Sequence, residues 1–149
     1  MTTIPTWQRR ERGGSQRMRG VTLIELLVVV TIVGILVTIA YPGYQSQIQR
    51  TRRADGKTVL LDTAQRLERC FTRYNAYNNG ACDIATSLGA GVLSEQGWYL
   101  VTNAAPAAST FALVATPQNG HANDTICGNL TLSDRGARGA TGTAPETCW

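Results

Sequence analysis

The chain is poor in the residues from which active sites are built. It has a single histidine, His121, no closely spaced Cys-x-x-Cys pair, no phosphate-binding glycine motif and no nucleophile elbow. A general base needs neighbours that orient it, and His121 has only Asp124 near it in sequence. Four scattered cysteines and one histidine do not make zinc-ligand spacing, and the acids form no calcium-type loop. No catalytic residue, metal or cofactor is therefore expected. The chain also shows no internal repeat, and one stretch is almost without charge.

Residues 21–41 are apolar, small or hydroxylic except Glu25. A helix of about 20 such residues crosses a hydrocarbon core about 30 Å thick. A secretory signal has a shorter apolar core, about 7–15 residues, ending at a small-x-small cleavage site. Here the basic residues and Gly20 come first. Arg9, Arg10, Arg12, Arg17 and Arg19 precede the run against the single acid Glu11. By the positive-inside tendency the N-terminus stays cytoplasmic and the rest crosses. These first residues also hold the whole formal charge of +4, because the nine Lys/Arg and nine Asp/Glu beyond Gly20 cancel. Basicity here is a topology signal rather than the footprint of a nucleic-acid ligand.

Glu25 is the anomaly, since an acid in the apolar part of a spanning helix costs a few kcal/mol on insertion scales, about 2.5–3.5 at the centre. Cleavage after Gly20 would give Val21 a cationic α-amino group four residues before the carboxylate. The two would neutralise one another within a subunit or between neighbours. The alternative is a carboxylate resting at the membrane interface. Gly34 and Pro42 weaken the helix and mark where it would bend or melt, although both residues are common in membrane helices.

Beyond Pro42 the pattern becomes that of a water-exposed helix to about residue 77, with a stripe of Leu60, Ala64, Leu67, Phe71 and Tyr74. Arg50, Arg52, Arg53, Lys57, Arg66, Arg69 and Arg73 flank it and read as a solvated face; the first four could also meet anionic headgroups or neighbouring subunits. Asp55-Gly56 reads as a soft point, and Asn75, Asn78, Asn79 and Gly80 as the end of the helix. Residues 98–102, 110–116 and 129–133 have strand composition, with Phe111, Leu113 and Ala115 alternating with more polar residues except Val114. Residues 103–109 and Gln118-Asn119-Gly120 link them. The fold class expected is α+β: a long N-terminal helix whose second half packs on a small antiparallel sheet. Fewer than a hundred residues make so small a core marginal without covalent help. Cys70, Cys82, Cys127 and Cys148 can supply it in three pairings, of which 70–82 and 127–148 are favoured. They would close the loop off the helix end and tie the C-terminal segment to the last strand.

Gly20-Val21-Thr22-Leu23-Ile24-Glu25 and the apolar run after it, through Ala40-Tyr41-Pro42-Gly43-Tyr44, resemble the class III signal of type IV pilins. The likeness covers residues 20 to about 53. It implies a leader, residues 1–20, removed by a prepilin peptidase; N-methylation of Val21; an assembly role for Glu25; a transmembrane helix over 21–42; and a periplasmic or fibre-exposed head over 43–149. It also implies loss of helicity between Gly34 and Pro42 on packing, and a C-terminal disulfide loop exposed on the fibre. Val21 stands where the family usually has Phe, and the leader is longer than usual. Cys127-Gly128-Asn129-Leu130-Thr131-Leu132 with the terminal Cys148-Trp149, and 111–117 followed by Gln118-Asn119-Gly120, are most similar to PilE-type minor pilins. The partners implied are major and minor pilins, the prepilin peptidase, the inner-membrane assembly platform, a tip adhesin and inner-membrane lipid. The location implied is the inner membrane, then an extracellular pilus. Two other readings share the N-terminal signal: a type II secretion pseudopilin, against which the cysteines and the tail argue, and a DNA-uptake pilin, for which Arg135 and Arg138 alone are too few.

Overall fold

The computed structural model describes residues 20–149; the leader arginines Arg9, Arg10, Arg12, Arg17 and Arg19 lie outside the described residues. The chain divides into two compact units, Met1–Ala40 and Tyr41–Trp149. One helix, α1 (Leu23–Tyr74), supplies the described helical part of the first unit and the opening of the second.

Residues 20–22 are non-helical and α1 begins at Leu23. Every side chain from Val21 to Ala40 is exposed, the large apolar ones by about half or more. The helix is long and apolar enough to cross a membrane. It passes through Gly34 and Pro42 without a break. Pro42 nonetheless lacks the N–H that would pair with the Thr38 carbonyl.

In the second unit α1 buries Gly56, Leu60, Thr63, Leu67 and Cys70. The buried face is thus turned slightly from the expected stripe: Leu60 and Leu67 are on it, whereas Ala64, Phe71 and Tyr74 are half-buried. Asp55-Gly56 is not a soft point. Gly56 faces the ring of Tyr99 so closely that a Cβ would lie 2.7 Å from it, so the glycine is there for close approach. The helix ends when Asn75 turns left-handed at φ 53°, its N–H donating to the Phe71 carbonyl at 2.7 Å.

Five strands follow in an antiparallel meander ordered as in sequence: β1 (Val92–Leu93), β2 (Tyr99–Asn103), β3 (Ala112–Pro117), β4 (Leu130–Ser133) and β5 (Arg138–Ala140). The three expected strands are β2, β3 and β4; β1 and β5 are short additions at the edges. Register places Val101 opposite Ala115 and Leu113 opposite Leu132. The period-two alternation turns Tyr99, Val101, Leu113, Ala115, Leu130 and Leu132 inward, onto Leu60 and Leu67. A short helix absent from the sequence expectation, α2 (Asp83–Ala90), adds Ile84 and Leu88 to this core. Tyr77 seals one end, stacking on Phe71 at 4.6 Å and edge-on to Phe111 at 5.0 Å.

Disulfides join Cys70 to Cys82 and Cys127 to Cys148. The first ties the end of α1 to the start of α2. The second closes a loop that contains β4 and β5.

Candidate functional site

The start of α1 is a capping box. The Glu25 N–H donates to Thr22 Oγ1 at 3.3 Å, and the Thr22 N–H points back to Glu25 Oε2 at 3.5 Å. Thr22 also accepts the first helical bond, from the Leu26 N–H at 3.1 Å. The carboxylate placed by composition alone inside an apolar helix therefore sits at that helix's beginning, where the macrodipole favours negative charge. The signal, Thr-x-x-Glu, was present in the sequence and pointed to a local partner for Glu25 besides the amine of Val21.

In the head the structure gathers four polar residues from distant segments. Arg53 of α1 grips Asp124 with both arms, Nε to Oδ2 and Nη2 to Oδ1, each at 2.7 Å. Asp124 Oδ1 also accepts the N–H groups of Ile126 at 3.2 Å and Cys127 at 3.3 Å. His121, on a 3₁₀ turn at Asn119–His121, places Nε2 2.9 Å from the Tyr99 hydroxyl and 3.4 Å from Asp124 Oδ2, while its Nδ1 has no partner among the described residues. Arg53 is therefore not part of a solvated face: its side chain is 13 % exposed and that of Asp124 only 2 %. Its neighbour Arg52 lies over the Trp98 ring at 4.1 Å and donates to the Gly120 carbonyl at 3.1 Å.

Burial sets the protonation of this group. It lowers the pKa of His121, aided by Arg52 and Arg53 and opposed by Asp124, so the imidazole is neutral at neutral pH. Burial also raises the pKa of Tyr99 and keeps its hydroxyl protonated. For Asp124 burial pushes upward, but the hydrogen bonds from Arg53 and the Cys127 N–H outweigh it and hold the carboxyl below its usual range. The Asp124 hydrogen bond in turn raises the pKa of Arg53. His121 and Asp124 are thus brought together, as their spacing allowed, but inside a closed clamp. What the clamp can do is hold the loop before Cys127 against α1.

On the surface Arg66, Arg69 and Arg73 line an open groove beside Tyr74 and the Cys70–Cys82 disulfide. Sequence reasoning named all three but did not group them. Arg138 stands 5.3 Å over the Trp149 ring, and Arg135 is exposed on the turn between β4 and β5. Among the described residues no three His, Cys, Asp or Glu gather as metal ligands.

An exposed apolar helix with one capped acid, joined in sequence to a disulfide-tied α+β head, defines a subunit made for assembly. Residues 42–131 match the family described as type IV minor pilin ComP, DNA uptake sequence receptor, and residues 15–41 match the prokaryotic N-terminal methylation motif. The chain belongs to this type IV pilin family, whose members are structural subunits, and it is not an enzyme. Among curated relatives, the fimbrial protein of Moraxella nonliquefaciens is 42 % identical over 59 residues, 36 % of this chain and 38 % of that one. The type IV major pilin PilA of Myxococcus xanthus is 41 % identical over 70 residues, 46 % of this chain and 31 % of that one. The matches therefore span less than half the length of these relatives. The crystal structure of the non-core minor pilin PilV of Neisseria meningitidis shares the fold, with a TM-score of 0.52 and 24 % identity over 66 % of this chain and 91 % of that one. The methylation motif and the apolar helix fit a membrane-anchored pilin that later enters pili.

Proposed function

We propose that this chain is a low-abundance minor pilin, held in the inner membrane after processing, that helps prime assembly and is then drawn into the fibre. The observation that carries the reading is the minor-pilin family match across 42–131, most of the head. In this reading the peptidase cuts between Gly20 and Val21 and methylates the new amine. The apolar helices pack along the fibre axis, and Glu25 sets register by exchanging its capping contact with Thr22 for a neighbour's Val21 amine. The stretch between Gly34 and Pro42 supplies the flexibility that packing needs, and the head lies outside. The proposed partners are other pilins, the peptidase, the assembly platform and a tip adhesin.

Mass spectrometry of filaments sheared from native cells tests this. Trace amounts beginning at N-methyl-Val21 are expected. Dominant amounts would make it a major pilin, and a processed chain that stays in the membrane while filaments form without it would make it a pseudopilin. Gly20→Asp should block maturation. Glu25→Ala should be cleaved yet fail to incorporate, and normal incorporation would remove the role given to the carboxylate.

A second reading, a DNA-uptake pilin, is favoured by the family's own description and by the grouping of Arg66, Arg69 and Arg73. Fluorescence anisotropy of duplex DNA with the mature chain in detergent tests it. Binding that weakens steeply with salt and is lost in Arg69→Ala/Arg73→Ala would support it. No binding at low salt would end it.

A further inference from the structure

We propose that one flank of α1 in the head is a docking strip for the head of a neighbouring pilin, and that its charge order favours contact only when the two heads are displaced along the helix axis. The inference rests on the reading of the chain as a fibre subunit.

Positions 55, 59, 62, 66, 69 and 73 recur at spacings of four and three and therefore share one helix face, beside the buried face of Gly56, Leu60, Thr63, Leu67 and Cys70. This face opens with Asp55 and Asp62 and ends with Arg66, Arg69 and Arg73. Two open grooves run along it and share Arg66. The first, about 360 Å³, sets Asp55, Asp62 and Glu95 around Val59, Val92 and Leu93. Leu93 is 58 % exposed on β1, an edge strand paired only with β2. The second, about 410 Å³, holds the three arginines, with Asp83 the one acid lining it.

Among the described residues the two ends meet only at the exposed pair Arg66–Asp62, 2.8 Å apart. Among the described residues Asp55, Glu95, Arg69 and Arg73 form no ion pair. Asp55 Oδ1 accepts the Gln96 N–H at 3.4 Å, and its Oδ2 is buried without a partner.

Subunits anchored in one membrane with their N-termini on the same side present parallel helices. At equal height acids would face acids and arginines arginines, and such juxtaposition costs several kcal/mol in an interface. A shift by the spacing between the two ends, roughly 10–25 Å at 1.5 Å per residue, brings the arginines of one head over the acids of the next and covers Leu93. A contact between two different patches is heterologous and builds open helical filaments rather than closed pairs. The strip thus keeps stored subunits apart and joins staggered ones. DNA could use the arginine groove but would be repelled by the acidic one and would leave Leu93 without a role.

Photo-crosslinking in native filaments tests this, with p-benzoylphenylalanine at Leu93 and, as a control, at Ile24 in the apolar helix. Both sites should capture a pilin, Leu93 through a segment rich in Lys or Arg. Arg69→Glu/Arg73→Glu should lower the amount of this chain in filaments at least several-fold at unchanged membrane level and unchanged head melting, with Arg69→Lys/Arg73→Lys restoring it. Capture at Ile24 without capture at Leu93 overturns the docking strip and leaves the fibre reading standing; capture of a pilin at neither site removes the fibre reading itself. A charge-reversed variant that enters filaments normally but no longer binds DNA would make the strip a nucleic-acid surface and overturn the proposal.

Discussion

The apolar stretch of residues 21–41 and the head solve opposite problems with the same chain. In the first nothing is buried, and the one charged group, Glu25, is met by a cap one turn away. In the head the contacts that close the core are long-range: Arg53 reaches Asp124 across 71 positions, and β2 to β4 close over Leu60 and Leu67. The first region leaves its apolar side chains exposed throughout, whereas the second buries a core of its own. Substitutions should therefore separate cleanly into those that change assembly and those that change folding, with melting followed by the fluorescence of the head residues Trp98 and Trp149.

The largest expected effect is on the clamp. Arg53→Ala leaves the Asp124 carboxylate buried and uncompensated and should cost the head about 3–5 kcal/mol, seen as a large fall in Tm; a change under 1 kcal/mol would show that the pair is solvated. Removing the second disulfide by Cys127→Ser/Cys148→Ser should cost about 2–4 kcal/mol, and an unchanged denaturation midpoint would contradict it. Gly56→Ala forces a methyl group against the Tyr99 ring and should cost about 1–3 kcal/mol. A smaller effect is expected from acid. The folded chain holds the His121 pKa below the ordinary 6.5, so the unfolded chain takes up a proton the folded one refuses. Head stability should accordingly be full above pH 6.5 and fall as the pH drops below it, with Asp124 adding to the loss below its ordinary 3.8. His121→Gln should flatten the first part of that profile; an identical profile in the variant would assign the loss elsewhere. The smallest effect is that of Thr22→Ala, worth about 1 kcal/mol at the start of α1. It should leave the head's Tm untouched, and a shift in that Tm would break the separation between the two regions.

The same contrast explains what could be read from the sequence. The long apolar helix was legible because composition alone decides it. Strands β2, β3 and β4 were legible because β-branched and aromatic residues crowd the first two, and because Leu130 and Leu132 alternate with Asn129, Thr131 and Ser133 in the third. Helix α2 was not: in Asp83-Ile84-Ala85-Thr86-Ser87-Leu88-Gly89-Ala90 the helix formers are diluted by Thr86, Ser87 and Gly89, and eight residues are too few to hold without the burial of Ile84 and Leu88 four apart. Strands β1 and β5, two and three residues long, fall below any useful window. Gly56 looked like a breaker because its reason is the Tyr99 ring, 43 positions away. The clamp had no local signal, since its members come from α1, β2 and the loop between β3 and β4. The Thr22 cap did have one, which composition overshadowed.

The two disulfides also decide what a protease can do to the head. Arg73 lies inside the ring closed by Cys70 and Cys82, and the exposed Arg135 and Arg138 lie inside the ring closed by Cys127 and Cys148. A tryptic cut after any of the three adds one water to the mass but releases no fragment from the ring. A head nicked once in each ring would keep its size until a reductant is added, so its peptides become separable only after the sulfur bridges are opened.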